Sequence, residues 1–140
     1  MIKVINICKD ELKKIVAFLL KKIELEFIII YGSSVTDNFR EDSDIDLAYY
    51  SKTKVDPFEL FILKEELADI LRREVDLIDL KMASTVFKAQ VVGTGEIIYC
   101  SDKNKLDNFR IRSLKEYALL NEERQIILDK IKEDGEIYGK

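Results

Sequence analysis

The chemistry available to this chain lies in a glycine, two serines and three aspartates. Gly32-Ser33 is followed, ten residues later, by Asp44-Ile45-Asp46, and Asp76 sits further along in Val75-Asp76-Leu77-Ile78. If Asp44 and Asp46 open a strand, their side chains share a face, with Cα atoms about 6.5–7 Å apart. Two carboxylates that close repel unless a cation neutralises them. Mg²⁺ takes one or two protein carboxylates together with phosphate oxygens. Gly32, lacking Cβ, lets a phosphate approach the backbone, and Ser33 adds a hydroxyl donor. If Ser33 and Ser34 open a short helix, its free N–H groups favour an anion. Asp76 points away from its neighbours Val75 and Leu77. Should its strand lie beside that of Asp46, three carboxylates could hold two metal ions about 3.5–4 Å apart for in-line phosphoryl transfer. Asp76 would then accept the proton of the attacking hydroxyl. Asp79 faces the other way and ranks below Asp76.

The elements that must position these groups follow from periodicity. Leu12, Ile15, Val16, Leu19, Leu20 and Ile23 form a helical stripe, with Asp10 as the expected N-cap. Phe27 to Tyr31 is a short apolar run that reads as a buried strand. A second strand is expected over Asp44 to Tyr50. A helix follows, with its cap at Asp56, Pro57 in its first turn and Glu59 in a capping box. Glu74 to Leu80 is the third strand, Ala83 to Val92 a short helix stopped by Gly93, and Glu96 to Cys100 the fourth strand. The last element is a long helix from Lys103 to about Asp134, with Gly135 as its C-cap. This alternation predicts one α/β domain over 1–140, a core of about 1–100 and a helical extension of about 103–134.

Composition narrows the function. A chain of 140 residues, 47% hydrophobic and 36% charged, can bury one real core. The net charge of -4 disfavours stable DNA binding. There is no histidine, which removes Ser-His-Asp and Cys-His catalysis and most zinc enzymes. Cys8 and Cys100 have no partner at metal-ligand spacing and read as packed thiols. The apolar stretch Ile15 to Leu20, flanked by lysines, is too short to span a bilayer. A cytoplasmic protein that does not enter the membrane is expected.

Gly32-Ser33-x10-Asp44-x-Asp46 resembles the signature of the DNA polymerase beta-like nucleotidyltransferases. Ser43-Asp44-Ile45-Asp46-Leu47 is close to the wording of their minimal members. Val75 to Leu80 looks like the third-carboxylate strand, and Gly95 to Tyr99 like the strand after it. The tail Ile131 to Gly139 is similar to the end of MntA-type antitoxins. The resemblance implies a small mixed sheet flanked by helices, with Asp44, Asp46 and Asp76 as metal ligands and catalytic carboxylates. Gly32, Ser33 and Ser34 would contact the triphosphate, with Mg²⁺ (two ions) and ATP as nucleotide donor. It also implies a hetero-oligomer with a HEPN-domain RNase toxin of the HepT type, silenced by transfer of AMP to a tyrosine hydroxyl. Two rival readings are transfer to a small-molecule or nucleic-acid hydroxyl and a non-catalytic antitoxin acting by complex formation.

Many relatives carry a Gly-Ser-x-Ala-x-Gly pattern where this chain has Val35 and Asp37. A turn at Asp37-Asn38 could replace the glycine, although Asp37 adds negative charge near an anionic substrate. Tyr49 and Tyr50 read as packing residues rather than base-stacking ones, and Arg40 as a solvated loop arginine. The apolar residues of the last helix, from Phe109 to Ile131, cover more than one face. They either pack within the domain or present a surface to a partner.

Overall fold

The computed structural model describes residues 7–36, 39–40 and 43–138. The elements run α1 (Lys9–Lys22), β1 (Leu25–Tyr31), a 3-10 turn (Gly32–Val35), β2 (Ile45–Ser51), α2 (Pro57–Leu71), β3 (Val75–Asp79), α3 (Thr85–Thr94), β4 (Glu96–Cys100) and α4 (Lys103–Tyr138). The four strands form one sheet in the order β3-β2-β1-β4. β1 pairs antiparallel with both β2 and β4. β2 and β3 are parallel, as a strand–helix–strand crossover through α2 requires. The sheet is therefore mixed and carries helices on both faces, as the resemblance implied.

Alternation in the strands sorts side chains between two cores. On one face Ile28, Ile30, Ile45, Leu47, Tyr49, Val75 and Leu77 meet Ile15 and Leu19 of α1 and Leu63, Leu67 and Leu71 of α2. The four-residue spacing within each helix supplies one continuous apolar stripe. On the other face Phe27, Ile29, Ala48 and Leu80 meet Val91 of α3 and Leu106 and Phe109 of α4. Burying each of these large side chains contributes roughly 1.5–3 kcal/mol.

Several helix ends differ from the sequence expectation. Asp10 lies inside the first turn of α1, and the N-cap is Cys8. That cysteine is exposed rather than packed, with its Sγ 3.7 Å from Glu11 Oε1. Asp56 does cap α2, with Pro57 in the first turn, but its side chain makes no capping hydrogen bond. α3 starts two residues later than expected because Ser84 is its N-cap, its Oγ accepting from the Phe87 N–H at 3.1 Å. It runs through Gly93, whose place as stop is taken by Gly95. α4 likewise continues past Gly135 to Tyr138. A glycine costs a helix interior only about 1 kcal/mol and does not by itself end one. The expected turn at Asp37-Asn38 lies outside the described residues. Among the described residues, no helix is long and apolar enough to cross a membrane.

Candidate active site

β1 ends where β2 begins, because the two strands are antiparallel. Tyr31, the last residue of β1, stands opposite Asp46. The next residue, Gly32, turns the chain with φ +73°, a left-handed conformation that L side chains rarely adopt. A second constraint acts on the same position. A Cβ at Gly32 would collide with Asp46 Oδ2 and lie 3.2 Å from its Cγ. Glycine is thus required both for the turn and for the room it gives the Asp46 carboxylate.

The parallel register of β2 and β3 sets Asp76 directly opposite Asp46, on strands about 4.8 Å apart. The same register places Val75 and Leu77 against Ile45 and Leu47 in the core below. Asp44 precedes β2 and is exposed, while Asp46 and Asp76 are half-buried. Burial, then the charges of Asp76 and Asp44, hold the Asp46 carboxyl above its ordinary value of 3.8. Asp79 lies on the opposite face, near Tyr49, whose phenol is pushed upward by burial and by that carboxylate. Its Oδ1 accepts the Lys81 N–H at 2.9 Å, which closes the turn after β3.

Three further residues serve this corner of the fold, and the sequence did not single out two of them. Tyr31 packs edge-on against Phe87 of α3, with ring centroids 5.5 Å apart. Burial, Asp46 and Asp76 all raise the pKa of its phenol, so the hydroxyl stays protonated beside the carboxylates. Arg73 holds the loop that leads to Asp44. Its guanidinium donates to the Arg40 carbonyl at 3.0 Å, stacks over Phe39 at 4.7 Å and pairs with Glu11 at 3.6 Å. Arg40 itself is exposed, and its N–H donates to Ser43 Oγ at 2.8 Å. The sequence signal for Arg73 was a cation two residues past the end of a helix. The third residue, Ser34, is fully buried, and its Oγ has no hydrogen-bond partner. It therefore faces inward from the 3-10 turn, while Ser33 is half-exposed. A cleft of about 480 Å³ opens beside the turn, lined by Tyr31, Gly32, Val35, Thr36, Gln90 and Thr94. Its volume falls in the range of small-ligand sites.

Among the described residues, no three Asp, Glu, His or Cys side chains already stand as a closed ligand set. The donors nevertheless suit a hard divalent cation. Asp44, Asp46 and Asp76 offer carboxylate oxygens only, the charges of Asp76 and Asp44 raise the proton affinity of Asp46 in the way a cation would relieve, and the bare Gly32 keeps Asp46 Oδ2 clear.

The sequence matches the Polymerase beta, Nucleotidyltransferase family over residues 13–104. This chain belongs to that family. Within it, the chain is 30% identical to protein adenylyltransferase MntA of Shewanella oneidensis over 129 residues, covering 92% of this chain and 85% of the relative. Among solved structures, it is similar to a chain in the complex of a tri-AMPylated Shewanella oneidensis HEPN toxin with its MNT antitoxin. There the TM-score is 0.74 at 30% identity, over 89% of this chain and 98% of that one. A toxin–antitoxin structure with AMP-PNP gives a TM-score of 0.77 at 32% identity, over 86% and 98% of the two chains. Family membership makes the chain a nucleotidyltransferase with a nucleotide as substrate.

Proposed function

We propose that this protein transfers AMP from ATP to a tyrosine hydroxyl of a HEPN-domain RNase toxin and so acts as that toxin's antitoxin. The observation that carries the reading is the pairing of Asp46 with Asp76 beside the Cβ-free Gly32. In this reading Asp44, Asp46 and Asp76 hold Mg²⁺. The metal would supply charge neutralisation for the leaving pyrophosphate and make the acceptor hydroxyl easier to deprotonate. The turn at Gly32 presents its backbone to the triphosphate, and the Ser33 hydroxyl donates to it. Ser34 shapes the turn from inside and contacts phosphate through its backbone alone. The acceptor oxygen bonds to the α-phosphorus, the bond to pyrophosphate breaks, and Asp76 takes the phenolic proton. Tyr31, kept protonated, can donate to an oxygen of the reacting groups without competing as a nucleophile.

Two features favour a protein acceptor. The relatives matched over nearly their whole length include an adenylyltransferase and antitoxins bound to a HEPN toxin. α4 also leaves Leu119 and, in its far half, Ile126, Ile127, Leu128 and Ile131 exposed, as an unpaired interface would. A cytoplasmic location goes with this reading, because ATP, Mg²⁺ and an RNase target would all be met there. Intact mass spectrometry of a cognate HEPN-type partner, after incubation with this protein, ATP and Mg²⁺, tests the reading. A gain of one or more AMP units, absent with Asp44→Asn/Asp46→Asn, is expected. A stable complex with silenced RNase activity and no mass gain would mean inhibition by binding alone.

A further inference from the structure

The face of the sheet that carries Asp46 continues along β2 through Ala48 to Tyr50, four residues or about 13 Å away. There a separate cavity of about 410 Å³ opens between the sheet and α4, with Glu26, Tyr50, Lys52, Lys81, Lys105 and Arg112 among its walls. Four cations around one carboxylate is an unusual concentration in a chain of net charge -4. Lys105 is committed, its Nζ 2.9 Å from Glu26 Oε1. Lys52, Lys81 and Arg112 form no ion pair with any described residue. Lys81 instead rests over the Tyr50 ring at 5.1 Å and donates to the Lys52 carbonyl at 3.4 Å.

Glu26 is the second, independent observation. β1 bulges between Leu25 and Phe27, so that Leu25 opposes Ser51, Phe27 opposes Tyr50, and Glu26 is the extra residue. Such a bulge re-aims a side chain; here it swings the carboxylate toward α4. Glu26 is 1% exposed, yet its Oε2 has no hydrogen-bond partner. A sealed carboxylate oxygen calls for a donor.

We propose that this cavity is a second nucleotide subsite. The phosphate of a nucleoside monophosphate unit sits on Lys52, Lys81 and Arg112, and a hydroxyl or amino group of the same unit donates to Glu26 Oε2. The choice of adenylate as the unit rests on the adenylyl-transfer reading. The unit comes either from free nucleotide or from adenylate already attached to an acceptor.

The test is calorimetric titration of the full chain, in EDTA and without partner, with 5′-AMP, adenosine and the dinucleotide pApA. AMP is expected to bind wild type and Asp44→Asn/Asp46→Asn equally, and adenosine to bind far more weakly. Lys52→Ala/Arg112→Ala, both at exposed positions, should weaken AMP at least about tenfold. Tighter binding of pApA than of AMP assigns the subsite to acceptor-borne adenylate; equal or weaker binding assigns it to free nucleotide. Absence of AMP binding overturns the proposal. So does binding that Lys52→Ala/Arg112→Ala leaves intact, or that the Asp44/Asp46 variant abolishes. Because no transfer is measured, failure here is separable from failure of the adenylyltransferase reading.

Discussion

Gly32 and Asp46 share one small volume: the missing Cβ of the glycine is where the carboxylate lies. Gly32→Ala should therefore fail twice. The left-handed backbone costs about 1–2 kcal/mol, seen as a lowered Tm. The displaced carboxylate should cut AMP transfer by roughly 100-fold or more, a larger fraction of function than of stability. Thermal melts beside single-turnover transfer separate the two effects, and a variant with near-normal transfer would refute the cradle.

The mutual repulsion of Asp44, Asp46 and Asp76 predicts a link between metal, pH and stability. The Asp46 carboxyl is raised in the folded state. Its contribution is thus fully present below the ordinary value and is lost as pH rises through the folded one. Without metal, the protein should lose stability over that rise, and Asp46→Asn should melt higher than wild type at neutral pH. Added Mg²⁺ should raise the wild-type Tm at neutral pH by binding the folded state. The increment should shrink in acid and vanish in Asp44→Asn/Asp46→Asn. Melts across pH with EDTA and with Mg²⁺ check this.

Asp76 and Asp79 make a matched pair for dissecting β3. Asp76→Asn should reduce transfer by about 10²–10⁴ if it is the base, with the melt unchanged or improved. Asp79→Asn, on the other face and bonded to the Lys81 N–H, should keep transfer within a few-fold while lowering Tm slightly. Equal losses of transfer in both variants would argue against the assigned roles.

Arg73 offers a test of positioning at a distance. Removing its guanidinium frees the segment around Arg40 and Ser43 without touching the carboxylates. Arg73→Ala should lower kcat about tenfold with little change in KM for ATP, and Arg73→Lys should rescue part of it. A change in KM alone would place Arg73 in substrate binding.

The far half of α4 should be dispensable for folding but not for partnership. Ile127→Glu and Ile131→Glu, at positions 59% and 61% exposed, should leave the melt within about 1 °C of wild type. They should weaken the complex with a cognate HEPN-type partner at least about tenfold, as measured by titration. Unchanged affinity would move the interface elsewhere.

Much of this was legible in the residues themselves. Alternation alone put Asp76 and Asp79 on opposite faces, and Asp76 on the side away from Val75 and Leu77. Periodicity, however, says which way a side chain points and not which strand lies alongside. The placement of β4 next to β1, and of Phe87 against Tyr31, therefore had to come from the fold. Arg73 was invisible because its partners are mostly backbone carbonyls and a ring 30 or more residues away. Glu26 was invisible for another reason: a bulge breaks the alternation on which the reading depends, and no glycine marks it. Helix ends were misplaced where a better cap, Ser84 or Gly95, stood a residue or two from the one expected.

The parallel register of β2 and β3 has a consequence for how mistakes are prevented. A slip of one residue would drive Asp76 into the oily layer over α2 and turn Val75 and Leu77 out toward solvent. The core cannot tolerate that exchange, so it proofreads the alignment on which the acidic pair depends. The reactive geometry is in this sense inherited from the greasy side of the strand, and a mutation there could silence the chemistry without touching any group that performs it.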